Sequence, residues 1–112
     1  MRIVFTSKGK DWDAQIDPRF GRTDYLFLYD EETEEVEVED NLDIKNTAHG
    51  AGPQTAKKMF DMKPDVLITG NGPGGNAAGI LGRTDMKIFT GAENMTLKEA
   101  FNAWKQDELK AY

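Results

Sequence analysis

Two arginines flank a phenylalanine–glycine pair in Asp17-Pro18-Arg19-Phe20-Gly21-Arg22. Held in a compact turn, their guanidinium groups are fixed N–H forks that fit a phosphate, a carboxylate or a sulfide-bearing anion. The same residues also allow a structural role, with Arg19 paired to Asp17 or Asp24 and bracing the turn. Six of the eleven glycines fall between Gly70 and Gly82, starting with Gly70-Asn71-Gly72-Pro73-Gly74-Gly75. After an apolar strand such a loop turns backbone N–H groups and a helix N-terminus toward an anion. It reads equally as a tight turn that needs positive φ. The spacing matches neither a P-loop nor a dinucleotide fingerprint. His49, the single histidine, lies among small residues in Asn46-Thr47-Ala48-His49-Gly50-Ala51-Gly52. There it can reach a ligand, donate a proton or bind a metal through one nitrogen, or it can be an ordinary loop or capping residue. Alone it cannot close a tetrahedral metal site.

Other chemistries lack their parts. Asp11, Asp13 and Asp17 are spaced too irregularly for a calcium loop, which also needs a closing glutamate. Thr6, Ser7 and Thr69 have no base at nucleophile spacing, so nothing demands catalysis. With no cysteine there is no disulfide and no thiolate ligand, and a metal must use oxygen or nitrogen ligands or arrive with ligands of its own. No apolar run reaches the ~20 residues of a membrane span, and the start resembles no secretory signal, so a cytoplasmic protein is expected. The net charge of −6 is local in origin: residues 30–43 hold nine acids and no base, leaving 11 acids against 14 bases elsewhere. That stretch reads as a solvated hairpin edge or as a docking patch for a basic partner. Nucleic acid is not an expected partner.

The chain's 112 residues suffice for one domain. Arg2–Thr6 reads as a buried strand, Tyr25–Tyr29 as a second, and the alternating Glu35–Glu39 as a half-exposed third that closes an antiparallel hairpin. Asn41–Gly50 is a polar connector. Pro53 suits the first turn of a helix whose Ala56, Met59 and Phe60 share a face. Val66–Thr69, the glycine loop, a helix over Asn76–Leu81 and a strand over Lys87–Thr90 form a βαβ unit with parallel strands. Thr96-Leu97-Lys98-Glu99 is a capping box, and Leu97, Ala100, Phe101 and Trp104 give the final helix its buried stripe. The expected fold is a single α/β domain over residues 1–112, with helices on a mixed sheet.

Three segments in register resemble the dinitrogenase iron–molybdenum cofactor biosynthesis family: Asp17–Arg22, His49–Ala56 and Gly70–Ala77. The family includes nitrogenase accessory proteins and small stand-alone members similar to the orange protein group. The resemblance implies a three-layer, ribonuclease H-like fold with about five strands. It implies no nuclease, and Arg2–Thr6 carries no acid for a two-metal site. It further implies a non-catalytic carrier of an anionic metal–sulfur cluster, of iron–molybdenum or molybdenum–copper type. On that likeness Arg19, Phe20, Gly21, Arg22, His49, Gly50, Gly52, Gly72, Pro73, Gly74, Gly75 and Asn76 bind the cluster, with His49 as the one metal ligand. Cofactor-assembly proteins are the implied partners through residues 30–43, and the chain is a monomer or weak dimer. Two further functions fit the residues: a phosphate- or nucleotide-type anion sensor using the same loop, and an acidic-faced interaction module.

Overall fold

In a computed structural model the chain is described over residues 1–72, 79, 81 and 84–112. Strand β1, Arg2–Ser7, is buried from Ile3 to Ser7, as an apolar, β-branched run must be when both its faces are covered. Strand β2, Tyr25–Asp30, pairs with it antiparallel, setting Val4 opposite Leu28 and Phe5 opposite Phe27. Strand β3, Val36–Asp40, closes the hairpin on β2 and leaves its glutamates in solvent. Arg2 ties the hairpin down through ion pairs to Asp30 and Glu37 at 3.3 and 3.4 Å.

On the other side of β1 lies the parallel half. Strand β4, Val66–Ile68, runs parallel to β1, and β5, Lys87–Thr90, runs parallel to β4. A two-residue strand, β6 at Lys110–Ala111, adds antiparallel to β5. Among the described residues the sheet is mixed and six-stranded, in the order β3-β2-β1-β4-β5-β6. This corrects the expected count of about five. Two residues are too few to leave a periodic signature.

Among the described residues three helices cover the sheet. The polar connector contains a short one, α1 at Leu42–Lys45, anchored by the buried Ile44. Helix α2, Ala51–Asp61, starts two residues before Pro53, after Gly50 in the left-handed region at φ 77°. Helix α3, Leu97–Lys105, has the full capping box: Thr96 accepts from the Glu99 N–H, and Glu99 accepts from the Thr96 N–H. It ends at Lys105, because Asp107 turns to φ 59° and the Glu108 N–H bonds back to Ala103. Most of the helix expected over Asn76–Leu81 lies outside the described residues.

Strand alternation divides the core into two layers of packing. Ile3, Phe5, Phe27, Val66 and Ile68 face α3 with Leu97 and Ala100, while Val4, Leu26, Leu28 and Leu67 face α2 with Ala56 and Met59. Helix, sheet and helix are thus stacked. Among the described residues no helix is long and apolar enough to cross a membrane.

The α3 cap gives a direct check. Thr96→Ala should cost about 1 kcal/mol of stability, read by denaturant unfolding. The Thr96 N–H, bonded to the Glu99 carboxylate, holds that carboxyl below the ordinary glutamate range. A depressed folded value stabilises above the unfolded one, so this contribution is complete at neutral pH and is lost as acid protonates Glu99. Glu99→Gln, which can still accept the bond, should flatten that part of the stability–pH curve.

Candidate anion-binding site

The described residues bury seven polar side chains, and all of them lie at one end of the molecule: Thr6, Ser7, Asp17, Thr23, Asn41, Thr55 and Thr69. Burying a polar group costs free energy unless it is bonded, so their concentration marks the C-terminal ends of β1 and β4. There β1 turns back toward β2 while β4 leads on to β5, and at such a divergence open α/β sheets bind ligands. The Thr6 and Thr69 hydroxyls meet at 2.7 Å, joining the two strands at their ends. Thr6 Oγ1 also donates to the Asp17 carbonyl at 2.7 Å, and the Asp17 N–H returns a bond to the Thr6 carbonyl.

The turn 17–22 rests on this floor. Its Pro18 carbonyl accepts from the Asn71 N–H at 3.0 Å. A β-carbon on Gly70 would sit 2.6 Å from Pro18 Cα, so only glycine permits this approach. Phe20 is buried beside Val4, Leu26, Met59 and Leu67, which makes its ring an anchor for the turn and leaves its backbone toward the site. Gly21 packs backbone to backbone on the first turn of α2, where an added β-carbon would lie 2.8 Å from the Gly52 nitrogen. Thr55 Oγ1 donates to the Gly21 carbonyl at 2.7 Å. Asn41 Nδ2 in turn donates to Thr55 Oγ1 and to the Thr23 carbonyl.

The two arginines do different work. Asp17, fully buried, accepts from the Arg19 N–H and Nε on Oδ1 and from Arg19 Nη2 on Oδ2. Its Oδ2 also accepts from the Asp24 N–H. The Arg19 guanidinium is half exposed, and its bond to Asp17 raises its pKa above the ordinary arginine value despite some opposing burial. The pairing with Asp17, one of two roles open from the sequence, is therefore present, and Nη2 also lies 3.9 Å from Asp24 Oδ1. Nε and Nη2 are held, while Nη1 has no hydrogen-bond partner among the described residues. Arg22 Nη1 donates to the Lys45 and Thr47 carbonyls at 2.6 and 3.0 Å. Among the described residues Arg22 has no carboxylate partner, so its charge is not neutralised there.

His49 is exposed immediately before α2, and its carbonyl accepts from Gln54 Nε2. Gly50 caps the helix without a side chain, and Pro53 has no N–H, so the Ala51 and Gly52 N–H groups head the helix. The Gln54 N–H bonds to the Gly50 carbonyl. Gly72 adopts φ 94° and lies under the Tyr112 ring. Pro73, Gly74, Gly75 and Asn76 lie outside the described residues. The structure thus joins turn 17–22, the Gly50–Gly52 helix start and the beginning of the glycine loop through direct contacts. The acids Asp11 and Asp13 sit in an exposed loop, with Asp11 Oδ1 accepting from the Asp13 N–H, away from the buried Asp17. Among the described residues no three histidine, aspartate or glutamate side chains are grouped to hold a bare metal ion.

Thr6, Ser7 and Thr69, which the residue pattern had suggested only as nucleophiles without a base, are instead part of the buried polar floor. Their signal was visible: β1 ends in Thr6-Ser7 and β4 is followed by Thr69, so both central strands close on hydroxyl residues.

Solved structures agree with this frame. The apo form of the orange protein from Desulfovibrio gigas is 29% identical, with a TM-score of 0.92 over 99% of this chain and 92% of that one. A NifB-like protein of the DUF35 family from Thermotoga is 32% identical, with a TM-score of 0.84 over 98% of this chain and 91% of that one. No curated protein is detectably similar in sequence. The profile of the family described as dinitrogenase iron-molybdenum cofactor matches residues 1–107, from β1 through the arginine turn and the start of α2 to the end of α3. The chain belongs to that family.

Proposed function

We propose that the protein is a non-catalytic carrier of an anionic, molybdenum-containing metal–sulfur cluster, or of its precursor, in metal-cofactor assembly in the cytoplasm. The observation that carries this reading is the junction at the ends of β1 and β4. There the turn 17–22, with Arg19 held on Asp17, packs against the start of α2 and the beginning of the glycine loop too tightly for a β-carbon on Gly21 or Gly70, and Arg22 in the same turn has no carboxylate partner among the described residues. Such a surface offers N–H donors and positive charge, which hold a large soft anion without a full set of protein ligands. The cluster is cargo that brings its own sulfides, so the lack of cysteine is no obstacle. In this reading the exposed His49 at the start of α2 adds one metal–nitrogen bond. The ribonuclease H-like assignment is part of the same reading, supported by helices on both faces of a mixed sheet.

The test is anaerobic purification with elemental analysis for molybdenum, iron and copper, repeated after reconstitution with tetrathiomolybdate. Stoichiometric metal with a visible charge-transfer band is expected. His49→Ala should lose or shift that band while its melting temperature stays unchanged, since the His49 side chain is exposed. A fully loaded His49→Ala protein with an unaltered spectrum would remove histidine ligation and leave cluster binding standing. A protein that takes up no metal but is stabilised by phosphate or nucleotides would make the site a small-anion sensor instead, because ligands that bind only the folded state raise its stability.

A further inference from the structure

On the α3 face of the sheet, away from the anion site, lies an open groove of about 590 Å³. Its floor is aromatic: Trp12, Tyr29 and Phe101 are each only partly buried and stand nearly edge to face. Trp12 lies 5.1 Å from Tyr29 and 5.7 Å from Phe101, and Tyr29 lies 5.5 Å from Phe101, between ring centroids. Asp13 and Glu34 stand on its walls with Lys98 and Asn102. Glu34 is held at φ 62°, a conformation uncommon outside glycine and asparagine, in the tight turn between β2 and β3.

The chain itself shows what this surface accepts. One helical turn along α3, Lys105 sets its ammonium 5.6 Å from the Phe101 ring and 5.3 Å from the Trp104 ring, and pairs with Glu31 of the hairpin turn. Aromatic faces beside a carboxylate are the combination that holds a cation, through the ring quadrupole and direct charge. The neighbouring groove repeats that combination, with Phe101 shared, and Asp13 and Glu34 have no ion-pair partner among the described residues. Glu32 adds to the negative field at the same end of the hairpin.

We propose that this groove docks a lysine- or arginine-bearing segment of a partner protein. The cation lies over Trp12, Tyr29 and Phe101 between Asp13 and Glu34. Glu37 and Glu39 do not take part, because they pair opposite Leu28 and Leu26 and so face the other side of the sheet. Lys98 is the built-in competitor for the two acids. The proposal is independent of what the anion site carries.

The test uses the whole chain and a capped peptide of three Lys-Gly repeats, with three Glu-Gly repeats as control. Binding is followed by NMR at the Trp12 indole and by tryptophan fluorescence. The lysine peptide should shift the Trp12 indole and the amides around Glu34 and Phe101, and the glutamate peptide should not. Glu34→Lys should weaken binding about fivefold, Glu39→Lys should leave it unchanged, and Lys98→Ala should tighten it about twofold. Equal weakening by Glu34→Lys and Glu39→Lys would reduce the interaction to general acidity and overturn the groove. So would shifts confined to β3, no shift at Trp12 with excess peptide, or sedimentation showing that a second copy of the chain fills the groove.

Discussion

Replacing Asp17 by alanine is expected to lower the melting temperature by about 10 °C, equivalent to ~2–3 kcal/mol. The carboxylate is fully buried and gathers four donors: the Arg19 N–H, Nε and Nη2, and the Asp24 N–H. Alanine would strand two backbone N–H groups and release the guanidinium that the turn holds in place. Arg19→Ala should be milder, below ~1 kcal/mol, since its head group is half in water and the carboxylate keeps its two backbone donors. Thermal unfolding followed by circular dichroism compares the two. If both variants melt together, Asp17 is not the organising element of the turn. The functional ranking should invert the stability ranking: Arg19→Ala keeps the fold and loses the outward donors, so metal uptake falls while the melting curve hardly moves.

Gly21→Ala is the variant expected to separate site from fold most sharply. The added methyl would lie 2.8 and 2.9 Å from the nitrogen and α-carbon of Gly52, both rigid backbone atoms of a helix start. Neither can yield as a flexible side chain would, so turn and helix must part. Overpacking of this kind costs ~1–3 kcal/mol. The separation also breaks the 2.7 Å bond from Thr55 to the Gly21 carbonyl and moves Arg22 off the Lys45 and Thr47 carbonyls. Reconstitution with tetrathiomolybdate should then give little or no charge-transfer band from a protein that still folds. Full loading of Gly21→Ala would show that the cluster needs no contact between these two segments.

Most of the framework could be read from residue patterns. The apolar, β-branched run of β1 announced a buried strand, the glutamate–valine alternation of β3 a half-exposed one, and Thr96-Leu97-Lys98-Glu99 a helix start; each rests on short-range chemistry. What escaped depends on partners distant in sequence. β6 exists only because β5 offers an edge to pair with, and α1 because Ile44 finds a place in the core. For the site, the arginine turn and the helix start at Gly50–Gly52 were legible as residue types. That Phe20 is an anchor was not, because burial is decided by α2 and β4 rather than by the turn. The pairing of Asp17 with Arg19 was open from the residue types, but its complete burial and its bond from the Asp24 N–H were not.

The placement of β1 has a consequence for how the molecule assembles. Its antiparallel edge pairs with β2 across a short stretch of chain, but its parallel edge waits for Val66, sixty-three positions beyond Ile3. Closing so long a loop brings no reward until many contacts form at once, so the hairpin half condenses early and the parallel half late. The Thr6–Thr69 hydroxyl pair and the Pro18–Asn71 bond span that seam. During synthesis the candidate site therefore closes only after β4 has emerged, and a nascent chain presents its acidic hairpin before that junction exists.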